Sequence, residues 1–422
     1  MYLRHPVRVV DRFCGSGKTT ELIQSLSPRK QYLIIAPYLS EVSRIIQKAN
    51  ERGITIVEPL CDKKDKNKQS NLLQLARARQ NICTTHAMYP RLFEAAKAGL
   101  FADYSIIIDE VVETVKPLDR SPSKDAWQNV YVGDGYVEID TYTGQVTPSA
   151  KWDAVHHKIS DVLSREIYTH ASTGTLYVHA DTTLVWALPR QLLTAGRELT
   201  VYTYQSEGSM MTAYLDRVGI PYEIDWDDVL DREYLNTARG LLTVKLLTGL
   251  TDLKFSYSGQ KSMHPNAIKR VATTLNNLGR RGLQGVPRDQ VILTCVKDSW
   301  FASGNSWKDL EGTGRTPKAT KFSKGTGLLG VNWLPNTTRG ANDWSHCSHV
   351  VYLYDQHPSP SVKAWLNMDY GWQDRYALSE GIQLIWRSRI RKREPVTVYF
   401  ASRRMYDLFN AWLASSDRLH AA

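Results

Sequence analysis

Cysteine is scarce and poorly placed for chemistry. Cys14, Cys61, Cys83, Cys295 and Cys347 are odd in number, far apart and without a Cys-x-x-Cys pair. No zinc module, iron–sulfur cluster or disulfide framework is expected from that spacing, and a reducing compartment is. Long apolar runs are lacking too. Nothing approaches the stretch of about 18 apolar residues that marks a membrane span, and the first residues, MYLRHPVRVV, hold no apolar leader core. The expectation is a soluble cytoplasmic protein with no membrane partner. Internal repeats and low-complexity tails are also missing. What is present is a 422-residue chain, 42% hydrophobic and 23% charged, a globular composition with length for two ordinary domains. Its formal net charge of +10 favours anionic partners, nucleic acid foremost, because neutralised phosphates release counterions.

The apolar patterning alternates between strand and helix. Val7–Val10 reads as a short buried strand, followed by the glycine-rich RFCGSGKTT and an amphipathic stretch from Thr19 to Leu26. Strand candidates follow at Tyr32–Ala36, Ile54–Val57 and Ser105–Ile108, with a helix from Leu39 to Ala49 and a solvated basic loop at Lys63–Lys68. Between about 117 and 171 the rhythm breaks, and Tyr131–Val137 with Thr141–Val146 reads as a hairpin in a small β-rich insertion. Runs at Val291–Thr294, Val350–Tyr354 and Val396–Tyr399 restart the alternation. The expected architecture is α/β, with two domains of parallel strands, 1–212 and 213–422.

Gly15-Ser16-Gly17-Lys18-Thr19, between a strand and a helix, has the form of a P-loop. Backbone N–H groups of Cys14 to Thr20 would cradle phosphates, Lys18 would add a point charge, and Thr19 would ligate Mg²⁺. Arg12 stands where a small residue is usual; its side chain is expected to point away from the phosphates, toward solvent or the second domain. Downstream, an isoleucine strand delivers Asp109 and Glu110 to the carboxyl edge of the sheet, where open α/β folds bind ligands. Asp109 would hold Mg²⁺ and Glu110 would orient or deprotonate the attacking water.

With these residues the sequence resembles the superfamily 2 helicases, the DEAD/DEAH-like group, Asp109-Glu110-Val111-Val112 standing for their acidic box. Ala36-Pro37-Tyr38 and Thr84-Thr85-His86 fit, in order, two motifs that touch the nucleic-acid backbone in that family. Asn336-Thr337-Thr338-Arg339-Gly340 resembles the Thr-Arg-Gly motif, with Thr338, Arg339 and Gly340 implied on the same track. Gln383-Leu384-Ile385-Trp386-Arg387-Ser388-Arg389-Ile390-Arg391 resembles the last motif, with Trp386 where glycine is usual. On one helix Gln383, Arg387 and Arg391 would share a face. Arg389 and Arg391 both stand as arginine-finger candidates, and the shared face favours Arg391. Thr203-Tyr204-Gln205 matches the Ser-Ala-Thr motif by position only, and no adenine-reading glutamine motif precedes the P-loop. The Trp300 and Asn332-Trp333 regions are read as core rather than base-stacking surfaces.

The resemblance extends to compact bacteriophage-encoded helicases. It implies two RecA-like domains with an ATP site in the interdomain cleft, and ATP and Mg²⁺ as cofactors. It also implies a monomeric helicase or translocase, on DNA rather than RNA, in the host cytoplasm, with replication or recombination proteins as possible partners. Two alternatives stay open: a nucleic-acid-stimulated remodelling ATPase, and a P-loop NTPase or kinase of small substrates.

Overall fold

Short β-branched runs separated by amphipathic helices leave few options beyond parallel sheets flanked by helices, and the computed structural model has two of them. It describes residues 6–61, 67–338 and 343–415. The chain divides into two units. One comprises Met1–Arg12, Gly17–Trp226 and Pro358–Trp372; the other Phe13–Ser16, Asp227–His357 and Gln373–Ala422.

The first unit's sheet is built from β1 (Val7–Asp11), β2 (Gln31–Ala36), β3 (Ile82–Thr85) and β4 (Tyr104–Asp109). Between β4 and the next strand of that sheet lies the insertion, with β5 (Val115–Pro117), β6 (Val137–Ile139), β7 (Val146–Pro148), β8 (Leu176–His179) and β9 (Thr183–Ala187). Then β10 (Glu198–Thr203) and β11 (Tyr222–Trp226) complete the sheet. The order is β11-β1-β10-β4-β2-β3, all parallel. Leu22, Ile34, Ile45, Cys83 and Ile107 fill the core on one face of it.

Four details depart from the sequence reading. The first unit runs to Trp226 rather than ending at 212, because Tyr222–Trp226 is an edge strand paired to β1. The insertion outlasts 171, since β8 and β9 form an antiparallel sheet with β5. Tyr131–Gly133 lies in a π-helical turn over Ala126–Gly133, so the hairpin is β6–β7 instead. Trp127 and Tyr131 turn inward from that turn onto Trp152, giving the insertion an aromatic core of its own. Ile54–Val57 contributes only an isolated bridge from Val57 to Ile82.

The second unit's sheet comprises β12 (Leu242–Leu246), β13 (Val291–Thr294), β14 (Asn332–Trp333), β15 (His349–Tyr352) and β16 (Val396–Phe400). The order is β12-β16-β15-β13-β14, again all parallel. Trp300 is fully buried in its core and Trp333 packs against it, which agrees with the core reading of both. The helix Pro265–Arg281 presents Val271, Leu275 and Leu278 to the same core at spacings of three and four. Cys83, Cys295 and Cys347 are buried free thiols. Among the described residues no helix is long and apolar enough to cross a membrane.

Candidate functional site

The glycine-rich turn leaves β1 and enters the helix Lys18–Ser25. Gly15 (φ 82°) and Gly17 (φ 96°) adopt a left-handed backbone that side-chain-bearing residues avoid. This directs backbone N–H groups into the turn at the helix start, where the helix dipole also favours anions. Lys18 is buried, and its Nζ lies 3.4 Å from the Arg12 carbonyl oxygen. Its other neighbour is the Glu110 carboxylate, 3.9 Å away.

The acidic pair reaches the same edge from β4. Asp109 is 2% exposed, and its Oδ2 accepts a 3.1 Å hydrogen bond from the Thr19 hydroxyl. Burial, then the Glu110 charge, pushes the Asp109 carboxyl up to about 7. Glu110 has φ 64°, a strained conformation for a residue with a side chain, of the kind concentrated at functional sites. The donor set fits a hard divalent cation. Thr19 Oγ1 and Asp109 Oδ2 are oxygen donors side by side, and Mg²⁺ characteristically takes one or two protein oxygens and completes its shell with phosphate and water.

Arg12 does point away from the turn. Its guanidinium meets Glu21 Oε1 at 3.1 Å and Asp225 Oδ1 at 3.2 Å, and donates to the Asp225 carbonyl at 2.6 Å. Its target is therefore the edge strand β11 of its own unit, not solvent. The residue before it carries a role that the sequence reading missed. Asp11, 1% exposed, accepts backbone N–H bonds from Gln205 (3.1 Å) and Ser206 (2.7 Å). Gln205 is itself left-handed at φ 56°. Thr203-Tyr204-Gln205, a match by position alone, thus leaves a strand seated between β1 and β4 and is tied to the residue that starts the phosphate turn. A carboxylate at a strand end is too common to have drawn notice in the sequence.

Pro37 and Tyr38 follow β2, and Thr84-Thr85-His86 closes β3. The pairing of Ala36 with Thr85, and a 2.9 Å bond from the His86 N–H to the Ala36 carbonyl, place the two motifs side by side. Tyr38 is exposed, but Thr84 is buried in its strand, which removes its hydroxyl from the expected nucleic-acid track. His86 is turned inward: Nε2 lies 2.9 Å from the Asp109 carbonyl oxygen. That contact links the Thr84–His86 segment to the acidic box.

In the second unit the α-helix ends at Ile385, Ser388 is extended, and Arg389–Lys392 forms a 3₁₀ turn. Gln383, Arg387 and Arg391 therefore do not share one helical face as expected. Gln383 and Arg387 are buried, with Gln383 Nε2 donating to the Ser379 hydroxyl at 3.2 Å. Arg389 is engaged locally, donating to the Pro395 carbonyl at 2.7 Å. Arg391 lies so close to Gly15 that a methyl group on that glycine would stand 3.2 Å from Arg391 Cγ. Gly15 belongs to the Phe13–Ser16 segment, which groups with this unit. Phe13 stacks on Tyr234 (5.1 Å) and meets Trp386 edge-on (5.3 Å). Trp386, where glycine is expected, packs against Phe13, the residue next to Arg12, where a small residue is expected.

Asn336 donates to Gln356, and the Thr338 hydroxyl donates to the Pro335 carbonyl at 2.7 Å. Arg339 and Gly340 lie outside the described residues. A cavity of about 480 Å³ in the first unit is lined by Arg8, Lys30, Glu198 and Glu223, and by none of the phosphate-turn residues.

Comparison with known proteins gives the following. The chain is 25% identical over 429 residues to the SPbeta prophage-derived uncharacterized protein YonV of Bacillus subtilis (strain 168), covering 96% of this chain and 98% of that one. Among solved structures it is similar to apo XPD, with TM-score 0.48 and 14% identity over 94% of this chain and 92% of that one. It is similar to S. tokodaii Xpd4 with TM-score 0.48 and 12% identity, covering 97% and 94%. Residues 240–413 match a family model described as the YonV C-terminal Rossmann-like domain. The chain is thus similar along nearly its whole length to a prophage protein, and its second sheet falls within the part that matches that protein's C-terminal domain.

Proposed function

We propose that this chain is an ATP-hydrolysing helicase or translocase that acts on DNA. The observation that carries the reading is the meeting of Lys18, Thr19, Asp109 and Glu110 at one sheet edge, with the 3.1 Å Thr19–Asp109 bond and the 3.9 Å Lys18–Glu110 pair. A phosphate cradle, a cation-ready oxygen pair and a carboxylate base are the parts that phosphoryl transfer to water requires.

In this reading the turn's N–H groups and Lys18 bind the phosphate oxygens. Lys18 exchanges Glu110 for phosphate when nucleotide enters, which leaves the Glu110 carboxylate able to orient a water and take its proton. Thr19 and Asp109 would hold Mg²⁺, which would supply charge neutralisation at the phosphates. Arg391 stabilises the charge that develops on the transferring group. Tyr38, Thr85 and Thr338 belong to the nucleic-acid track, which the +10 net charge favours.

ATPase activity measured with no nucleic acid, single-stranded DNA, duplex DNA and RNA tests the reading. Stimulation by DNA is expected, together with loss of turnover by at least roughly a thousandfold in Lys18→Ala. A Lys18→Ala protein that hydrolyses ATP normally, or a response flat across the four conditions, overturns it. Strand displacement on forked DNA separates unwinding from ATP-driven remodelling.

A further inference from the structure

The carboxyl edge of the second sheet carries a surface that none of the motifs above accounts for. Gln260, fully buried, ties that edge together. Its Nε2 donates to the carbonyls of Phe255 and Leu353, both at 2.8 Å, and its Oε1 accepts from the Val296 N–H at 3.0 Å. Leu353 follows β15 and Val296 follows β13, so this one amide fixes the short helix Tyr257–Lys261 over the ends of two strands. Ligands of open α/β sheets bind at this edge.

Two large aromatic rings stand out from it. Tyr257 is 60% exposed, with Lys261 Nζ 5.6 Å from its ring centroid. Trp307 is 50% exposed, in a segment that runs from Phe301 to Val331 with no helix or strand. Structureless segments of that length are uncommon in compact domains and are characteristically functional. This one is anchored, not loose. Phe322 and Leu328 are fully buried, Ser323 Oγ donates to the Trp300 carbonyl at 2.5 Å, and Asp309 accepts from the Ser306 hydroxyl at 2.6 Å.

An ion-pair chain joins the two rings. Lys261 pairs with Asp298, the adjacent Lys297 pairs with Asp309 at 3.1 Å, and Asp309 holds Ser306, the neighbour of Trp307. The 3.2 Å bond from the Lys318 N–H to the Asn305 carbonyl holds Lys318 against the stretch of chain that leads into Trp307. The segment carries five cations, at positions 308, 315, 318, 321 and 324, against Asp309 and Glu311. Exposed rings among lysines held on a fixed frame suit unpaired bases, which offer π-faces and a phosphate backbone together.

We infer that Tyr257 and Trp307 form a stacking platform for single-stranded nucleic acid, with Lys308 and Lys318 on its backbone. The inference rests on the function proposed above and gives that function a strand-selective contact in the second unit. The test uses the full chain and fluorescence anisotropy with a labelled oligonucleotide of about 20 nucleotides, longer than one binding module covers, as single-stranded DNA, single-stranded RNA and duplex. Trp307→Ala and Tyr257→Ala are each expected to weaken single-strand binding roughly tenfold, with Trp307→Phe near wild type because a ring remains. Lys318→Ala should instead flatten the dependence of log affinity on log salt by about 0.7.

A wild-type chain that binds single strands no better than its Ala variants overturns the platform while leaving the proposed function standing, and assigns the rings to a protein partner. Equal losses on single strands and duplex replace stacking by backbone contact and also overturn it. A wild-type chain that binds no nucleic acid overturns both.

Discussion

At the carboxyl edge of the first sheet the carboxylates are held in tension; at that of the second they are neutralised. Asp109 sits beside Glu110 with a hydroxyl and one lysine as counterweights, and burial pushes its carboxyl up to about 7. Asp355, after β15, is half-buried, which alone would raise it, yet it is held below the ordinary carboxylate range. His357 at 3.2 Å and Arg404 at 2.9 Å do this, and Arg404 also grips Asp374 at 2.7 Å. The two edges share one parallel α/β geometry. In the proposed function the first edge changes charge partners during turnover; the second holds Asp355 with Arg404 and His357 and carries exposed rings and lysines.

The largest test of that division is whether the second unit also takes part in the chemistry. Arg391, against Gly15, is the residue that would do so. Arg391→Ala is expected to lower kcat by roughly a thousandfold, the scale of a lost arginine finger, with nucleotide affinity little changed. Arg389→Ala, whose native side chain is engaged with the Pro395 carbonyl and Glu394, should stay close to wild type. A reversed ranking would move the finger to Arg389; normal turnover in both would confine the second unit to recognition.

A smaller effect probes the tension at Asp109 directly. The unfolded chain ionises this carboxyl near pH 4, whereas the folded, metal-free chain holds the proton to about 7. Stability therefore falls as pH rises between those values, because the unfolded state sheds the proton first. Asp109→Asn removes that penalty. Metal-free Asp109→Asn is expected to be more stable than wild type by about 1–3 kcal/mol above pH 7, with the gain gone below pH 4. Denaturant unfolding in chelator across that range measures it; an unchanged difference at all pH values would remove the ionisation account.

Much of this was legible in sequence because the signals are local. A strand, a glycine-rich turn and Lys18-Thr19 fix the turn proposed as a phosphate cradle within a dozen residues, and an isoleucine run ending in Asp109-Glu110 delivers carboxylates to a sheet edge. The failures are of longer range. Tyr222–Trp226 carries the charged residues Glu223 and Asp225 and reads poorly as a strand until β1 is beside it. The i, i+4, i+8 spacing of Gln383, Arg387 and Arg391 implied one helix, but the chain turns at Ser388, and periodicity carries no information about where a helix stops. Trp300, Trp307 and Trp333 look alike in sequence; only the folded segment around them shows which ring is left outside.

The smallest predicted effect concerns the wire between the two motifs of the first edge. His86 Nε2 faces the Asp109 carbonyl at 2.9 Å, which can only accept, so the ring must donate from Nε2. The bond holds the peptide that leads into the left-handed Glu110, and thereby sets where the carboxylate proposed as general base points. Gln can offer a donor at a similar reach, Asn stops an atom short, and Leu offers none. His86→Leu and His86→Asn are expected to lower kcat five- to tenfold, about one net hydrogen bond, with KM for ATP little changed, and His86→Gln should recover most of the loss. If Gln and Leu behave alike, the ring serves packing rather than the acidic box.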